Sequence, residues 1–251
     1  GFVQRRLGDV DVAALDQLEG IDADLLVLVG NNLRAQELAD RLRSHGHARR
    51  VLFGFQSTAG IRKADHVECV RWGATGLDVA PLHGEPTASD KNLLARVFTG
   101  KYRPNWTHDF EDWLLYHAAA VLPMCFVSYL CGCDLRAASH ELLRQMVAAQ
   151  GEGYALLARL DHPVAPEGNE GLLDGGLKTR MWLAVVWIVA RTKIGTLCVD
   201  DHCRHAPDEM RDLEAGFERI RGLAPDFPMP AWDALLARMG NWNEVCGRWG
   251  T

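Results

Sequence analysis

The densest group of chemically active side chains is the run Asp200–His205, with the sequence Asp-Asp-His-Cys-Arg-His. Asp, His and Cys are common metal ligands. In a helix, Asp201 and His205 would lie four residues apart on one face, and His202 would also lie near His205, so two ligands could reach one ion. No Cys-x-x-Cys or His-Glu-x-x-His pattern accompanies the run. The sequence therefore favours hydrogen bonding at the start of a helix, and it predicts no metal site.

The first hundred residues contain the pattern of an α/β unit. An apolar run from Asp24 to Gly30 ends in Gly-Asn-Asn, which is typical of a parallel strand covered on both faces. Apolar residues at helical spacing follow over 33–43, and a second buried strand is predicted over 50–55. This order predicts a βαβ unit. Two more strands are predicted over 66–72 and 77–82, and a helix over 90–98.

From Phe110 onward the sequence carries long helical patterns and no convincing strand. The predicted helices cover 110–130, 137–160, 176–196, 206–221 and 230–239. We therefore predict an α/β domain over 1–106 and a helical domain over 107–251. The helix that contains Trp182 and Trp187 is apolar almost all round, which predicts burial within the helical domain or against a second copy of the chain. A homodimer is expected from the second alternative.

Composition excludes several classes of protein. The 251 residues carry a net charge of -6 and no long basic run, so a nucleic-acid partner is not expected. The apolar run 113–130 is interrupted by His117 and Pro123, and the apolar run 181–190 is too short to cross a bilayer. Both runs are therefore predicted to be buried helices, and no membrane partner is expected. Seven cysteines, an odd number, indicate reduced thiols, and the first ten residues lack the apolar core of a signal peptide. A cytoplasmic protein is expected.

Several local patterns in this order resemble those of one enzyme family. They are Gly30-Asn31-Asn32-Leu33 with the helix after it, the helix opening Trp113 to Pro123, Asp201 followed by Glu209-Met210, and the loop 223–230. In their order and spacing they resemble the ketopantoate reductase family, whose members join a Rossmann domain to a helical domain of the 6-phosphogluconate dehydrogenase type. The resemblance implies an incomplete Rossmann-like parallel sheet followed by an all-α helical domain.

The same resemblance implies a nicotinamide cofactor, NADP or NAD, and a small-molecule substrate such as a 2-oxo acid. Asn31 would contact the cofactor, Thr196 and Asp201 the substrate, and Glu209 would take part in catalysis. The family's Gly-x-Gly-x-x-Gly turn, which binds the cofactor pyrophosphate, does not occur in the sequence. The chain begins where a family member would have its fourth strand, so the front of the Rossmann domain is expected to have been either removed or lost.

Catalytic positions of the family also differ. The family's proton-donating lysine falls at Leu115, its asparagine at Ala119, and its serine at Leu197, beside Thr196. A leucine cannot give or take a proton. The nearest replacement acid is His117, two residues further along the helix, because an imidazole ordinarily has a pKa suited to proton transfer near neutrality.

Each candidate has an alternative interpretation. His117 is also explained as a hydrogen-bonded core histidine, Glu209 as a carboxylate favoured in a first helical turn after Pro207, and Asn31 as a residue tolerant of turn geometry. For the whole chain, the leading hypothesis is a ketopantoate-reductase-like oxidoreductase. The alternative is a member of this fold that has lost redox chemistry and acts as a non-redox catalyst or binds a ligand or partner. An unrelated helical protein would lack a βαβ sheet before residue 100.

Overall fold

A mixed four-stranded sheet occupies the N-terminal part of the chain. The computed structural model describes residues 23–44, 50–56, 58–71, 76–100 and 102–249. The sheet has the strand order β1-β2-β5-β6, made of β1 (Leu25–Val29), β2 (Arg50–Gln56), β5 (Gly76–Ala80) and β6 (Arg103–Trp106). Its packing core is formed by Leu52, Leu77, Val79 and Leu94.

The predicted βαβ unit is confirmed. Helix α1 (Ala35–Ser44) connects β1 to β2, which pair in parallel with Leu25 opposite Arg50. Helix α2 (Ala88–Val97) connects β5 to β6 in the same way, and Thr87 and Asp90 form a capping box at its start. The interpretation as an unrelated helical protein is therefore wrong.

One strand pairing departs from the parallel sheet that the sequence predicts. β2 and β5 are antiparallel, with Phe53 opposite Ala80. A parallel pairing needs a crossover connection, usually a helix. Between these two strands the chain instead forms a separate two-stranded antiparallel sheet, β3 (Thr58–Arg62) and β4 (Val67–Arg71).

The rest of the described chain is helical, as predicted. It contains α3 (Phe110–Leu130), a 3₁₀ turn (Leu135–Ala137), α4 (His140–Arg159), α5 (Leu177–Val189), α6 (Lys193–Gly195), a π turn (Thr196–Asp200), α7 (Asp201–His205), α8 (Pro207–Arg221), α9 (Pro230–Met239) and α10 (Trp242–Trp249). Pro207 and Pro230 each stand in the first turn of their helix, where the missing N–H costs nothing.

Helices α3 and α4 approach each other closely. A side chain at Gly153 would bring a Cβ to 3.0 Å from the Cβ of Ala119, a tight contact, so this crossing favours a glycine. Pro123 has no N–H to donate within α3, and the side-chain amide of Gln150 on α4 donates to the carbonyl of Ala120, one residue from the carbonyl that loses its helical donor. The two helices are thus joined by packing and by a buried hydrogen bond.

The single helix predicted over 176–196 is interrupted. α5 ends at Val189, and the segment from Lys193 to His205 turns away by 83°. The Thr192 side chain accepts a hydrogen bond from the N–H of Ile194 and caps a new helical turn. Gly195 lies so close to α5 that an added Cβ would stand 2.7 Å from the carbonyl of Val189.

Of the two alternatives predicted for this helix, complete burial within the helical domain is wrong, and cover by a second copy of the chain stays a prediction. Leu177, Met181 and Ile188 share one face and are 72%, 62% and 57% exposed. Trp187 is also exposed, while Val186 on the other side is buried. One apolar face of α5 therefore has no cover within the described part of the chain.

Among the described residues, α3 is the one unbroken helix long and apolar enough to cross a bilayer, and 72% of its apolar window is buried within the protein. The bent pair of segments 177–189 and 193–205 passes the same test only if it is counted as one span. Such a test is also passed by the core helices of globular proteins.

The chain divides into two compact units. The first unit is formed within residues 1–57 and 73–114, and the second within 58–72 and 115–251. The sheet β1-β2-β5-β6 belongs to the first unit, and the β3–β4 pair and the helices from α4 onward belong to the second. The domain boundary at 106/107 stays a prediction.

Candidate functional site

Two histidines and a glutamate come together in the second unit. His117 lies on α3, His202 on α7 and Glu209 in the first turn of α8. Between α7 and α8 the backbone leaves the helical region at Ala206 (φ -139°, ψ 45°), and Pro207 then starts the next helix. This turn brings His202 opposite Glu209.

The two side chains of the turn are close but not tightly bonded. Nε2 of His202 lies 3.5 Å from Oε1 of Glu209, and both groups are partly accessible. Nε2 makes no hydrogen bond within the described chain. In the absence of a ligand, hydrogen bonds between catalytic groups are often long and shorten only when substrate is bound. An imidazole beside a carboxylate is an arrangement that can move a proton to or from a reacting oxygen.

His117 is half-buried, and its titration differs from the sequence-based expectation. The pKa of His117 is lowered to about 4, mainly by burial and also by repulsion from His202, while attraction to Glu209 partly opposes the shift. The expectation of a pKa near neutrality is wrong, because it took the imidazole as solvated. At pH 7 the ring is neutral, so it donates or accepts hydrogen bonds without carrying charge.

The candidate substrate residues lie on the segment that leads into this cluster. Thr196 is half-buried at the start of the π turn, and its carbonyl accepts the N–H of Asp201. The Asp201 carboxylate pairs with Arg204 at 3.3 Å, and its carbonyl lies 2.7 Å from Nδ1 of His205. Single π turns inside helices are frequent at functional sites.

Of the metal-ligand residue types in the run Asp200–His205, Asp200, Asp201 and His205 make hydrogen bonds within the chain. Among the described residues there is no group of three or more His, Cys, Asp or Glu side chains arranged to hold an ion. Asp201, Arg204 and His205 instead bond to one another or to backbone, which matches the hydrogen-bonded helix start expected from the sequence.

Asp200, the first residue of the run Asp200–His205, is a buried carboxylate for which the sequence predicts no separate role. Its carboxylate accepts hydrogen bonds from Oγ of Ser128 at 2.6 Å and from the N–H of Leu135. Burial raises the pKa of Asp200, and these two hydrogen bonds oppose the rise. Asp200 therefore ties the π turn to the end of α3. In the sequence the only signal of this residue is that two aspartates, Asp200 and Asp201, are adjacent.

The positions that match the catalytic lysine and asparagine of the family are closed. Leu115 is 5% exposed and Ala119 is fully buried. His117 lies two residues beyond Leu115, about half a helical turn away, and it is more accessible. His117 therefore lies on another side of α3 from Leu115.

The candidate cofactor residue Asn31 lies in the first unit, in the turn after β1. It is half-buried and follows Gly30, whose φ is 138°. The side-chain oxygen of Asn32 accepts the N–H of Arg34 just before α1 begins. The Nδ2 of Asn32 is buried and has no hydrogen-bond partner in the described chain. A buried amide N–H of this kind fits an acceptor group of a ligand.

Comparisons with known proteins bear on the fold. No family model matches the sequence, and no curated protein sequence matches it. Among solved structures, D-mandelate dehydrogenase with NADH is similar with a TM-score of 0.63 and 11% identity, over 90% of this chain and 73% of that chain. The 2-dehydropantoate 2-reductase of Methylococcus capsulatus is similar with a TM-score of 0.60 and 13% identity, over 98% and 73%. The dimeric ketopantoate reductase of Staphylococcus aureus is similar with a TM-score of 0.54 and 10% identity, over 90% and 77%.

The chain shares the fold of ketopantoate reductases and of D-mandelate dehydrogenase. The predicted fold class, an α/β part followed by a helical part, is therefore confirmed. At these identities the likeness shows the fold alone. Site residues must be judged from their own chemistry.

A nicotinamide dinucleotide fits the described residues in part. The turn after β1 offers the Asn31 side chain and the buried Nδ2 of Asn32 at the carboxyl end of a parallel strand, where ligands of such sheets bind. The sequence provides no Gly-x-Gly-x-x-Gly turn for the pyrophosphate. The described residues therefore fit the polar groups of a ribose or carboxamide, and not the phosphates.

Proposed function

We propose that this chain is a ketopantoate-reductase-like oxidoreductase that acts on a small 2-oxo acid or a related carbonyl. The observation that carries the proposal is the pair His202–Glu209 beside His117, in a fold shared with a 2-oxo acid reductase and a 2-hydroxy acid dehydrogenase. The side chains of His202 and Glu209 are partly accessible, and both residue types can carry a proton.

His117, His202 and Glu209 would have different roles in proton transfer. A nicotinamide cofactor would supply a hydride to the carbonyl carbon, and the carbonyl oxygen would need a proton from the protein. Neutral His117 would donate a hydrogen bond to that oxygen, and the His202–Glu209 pair would hold and deliver the proton. In the reverse direction, the oxidation of a 2-hydroxy acid, the same groups would accept the proton that the hydroxyl loses.

Thr196 and Asp201 are proposed to contact the substrate, and Asn31 the cofactor, NADP or NAD. Thr196 is half-buried at the π turn, and Asp201 holds Arg204, whose guanidinium also donates to the carbonyl of Cys133 at 2.6 Å. A guanidinium fixed in this way suits a carboxylate ligand. Asn31 would hold the cofactor through its side-chain amide.

We further propose a cytoplasmic homodimer. All seven cysteines are free thiols, in keeping with a reducing compartment. The exposed apolar face of α5, formed by Leu177, Met181 and Ile188, would be covered by a second copy, and one structure of this fold is of a dimeric reductase. Sedimentation velocity of Met181→Lys against the unaltered chain tests this proposal, and an unchanged oligomeric state would contradict it.

A second function is favoured by one specific observation. The position of the family's lysine is a buried leucine, Leu115, and no side chain replaces the lysine at the same place on α3. A protein of this fold without redox chemistry, acting as a non-redox catalyst or binding a ligand or partner, would retain the His117 cluster for that purpose.

Titration with NADPH and NADH decides between the two functions. Nicotinamide fluorescence should report binding in the micromolar range, by the 251-residue chain or by the longest form that its gene encodes. Asn31→Ala should weaken binding about tenfold, the worth of about one hydrogen bond. Asn92→Ala, an exposed asparagine on α2, is the matched control and should change nothing. No binding by the longest form would refute the oxidoreductase.

A further inference from the structure

The second unit contains a cavity of about 220 Å³ between α3, α4, α5 and the segment that follows α5. Its thirteen lining residues are all apolar or small, and they include Met124, Trp182, Val186, Ala190 and Cys198. No polar atom contributes to its surface. This cavity shares no residue with the His117 cluster or with the Asn31 turn.

The lining determines what the cavity can hold. A buried water needs two to four polar partners, and this surface offers none, so water inside it is poorly bound. The one N–H on a lining side chain, Nε1 of Trp182, is already donated to Oε1 of Gln150 at 3.0 Å. A charged or hydrogen-bonding ligand would lose its hydration without compensation. An apolar cavity of about 150 Å³ is large enough for benzene.

We infer that this cavity is a binding site for a small uncharged apolar molecule, or for the apolar part of a larger one, about the size of a substituted benzene ring. Two lining residues, Val185 and Cys198, are also exposed, and they mark where the cavity reaches the surface. The opposite side of α5 carries the exposed face proposed for the homodimer, so the two sites use different faces of one helix.

The cavity lies on the same stripe of α3 as His117. Met124 follows His117 by seven residues, two helical turns or about 10 Å. Trp182 in the cavity wall donates a hydrogen bond to Gln150, and Gln150 donates one to the carbonyl of Ala120. These two bonds connect the cavity wall to the turn of α3 between His117 and Met124. The site is nevertheless inferred from its own lining, and it stands whether or not the chain is an oxidoreductase.

Iodobenzene is a suitable probe, because its heavy atom quenches the fluorescence of an adjacent indole and Trp182 lines the cavity. We expect saturable quenching by iodobenzene, and no saturable quenching by 4-iodobenzoate, which has the same ring and a charge. Ala190→Leu fills part of the cavity and should weaken binding at least about tenfold. Ala148→Leu places the same change on the exposed face of α4 and should leave binding as it is.

A second measurement covers the case in which Ala190→Leu fails to fold. Bound iodobenzene should slow the alkylation of Cys198 at the mouth of the cavity, and leave that of the exposed Cys69 unchanged, as read by peptide mass spectrometry. Quenching that does not saturate, together with equal alkylation of Cys198 with and without the probe, would overturn the inference. So would binding that disappears as the protein is concentrated and dimerises, because a second copy would then occupy the cavity.

Discussion

Two carboxylates of the second unit, Asp200 and Glu209, stand nine residues apart and differ in how completely they are bonded. Asp200 is 1% exposed and accepts hydrogen bonds from Ser128 and from the N–H of Leu135. Glu209 is partly accessible, and its contact with His202 is 3.5 Å long. The first is a buried part of the scaffold, whereas the second can be reached by a ligand.

This difference distinguishes the polar residues that stabilise the fold from those that are available to a ligand. Buried polar groups that are fully bonded hold elements together, and their loss costs stability. Polar groups left partly bonded in an accessible place contribute little to stability and remain available for chemistry. The comparison therefore predicts opposite consequences for changes at the two carboxylates.

The largest expected effect is that of Asp200→Ala. The change leaves the Ser128 hydroxyl and the Leu135 N–H buried without an acceptor, so the free energy of unfolding should fall by about 3 kcal/mol. Denaturation in urea measures it. Asp226→Ala, at an exposed aspartate, is the control and should lie within about 0.5 kcal/mol of the unaltered protein. Equal stability of the two variants would remove the distinction drawn above.

The next effect is a pH dependence due to His117. The folded pKa of about 4 lies below the ordinary value of 6.5, so the unfolded chain binds the proton more readily between these values. Stability is therefore fully present above pH 6.5 and is lost as the pH falls toward 4, by about 2 kcal/mol. His117→Gln should lose less stability over this range. Parallel unfolding curves at pH 7 and pH 4.5 test it, and equal losses would show that His117 is solvated.

A smaller effect on stability is expected from a change at Ser128, whose hydroxyl donates to Asp200. Ser128→Ala removes one of its hydrogen-bond donors, while the Leu135 N–H stays in place, so stability should fall by about 1 kcal/mol. A double-mutant cycle with Asp200→Ala should show coupling between the two residues. Strictly additive losses would mean that the 2.6 Å contact contributes nothing.

The smallest effect on stability is expected at the site itself. Glu209→Gln removes the charge beside His202 but no short hydrogen bond to it, so the free energy of unfolding should change by less than about 0.5 kcal/mol. Thermal unfolding at pH 7 is a sufficient measurement. A loss near that of Asp200→Ala would place Glu209 in the scaffold.

Much of the fold could be predicted because its signals are local. The apolar run ending at Gly30 predicts β1 correctly. Helices α8 and α9 begin within about a residue of the predicted positions, because Pro207 and Pro230 mark their starts. Strand β6 was missed because it contains Pro104, which argues against a strand and is tolerated at the sheet edge that β6 occupies. The end of α5 at Val189 was missed because its cause, the close packing of Gly195, is tertiary.

The site was predictable only in part. His117 and Glu209 were singled out through the family resemblance, and their roles remain proposals. The pairing of His202 with Glu209 depends on the turn at Ala206, and the low pKa of His117 depends on desolvation by packed helices. The first depends on the backbone conformation of one residue and the second on segments that are distant in sequence, so neither is visible in residue types or spacing.

The most direct test of the central claim is turnover of 2-oxo acids. Oxidation of NADPH and NADH should be followed with a panel of small 2-oxo acids, using the longest form of the protein and its variants His202→Gln and Glu209→Gln. We predict turnover by the unaltered protein and a loss of about 100-fold in kcat/KM in each variant, the usual worth of a proton-transfer group, with folding unchanged. Equal activity in the variants, or no turnover of any 2-oxo acid despite cofactor binding, would contradict the account.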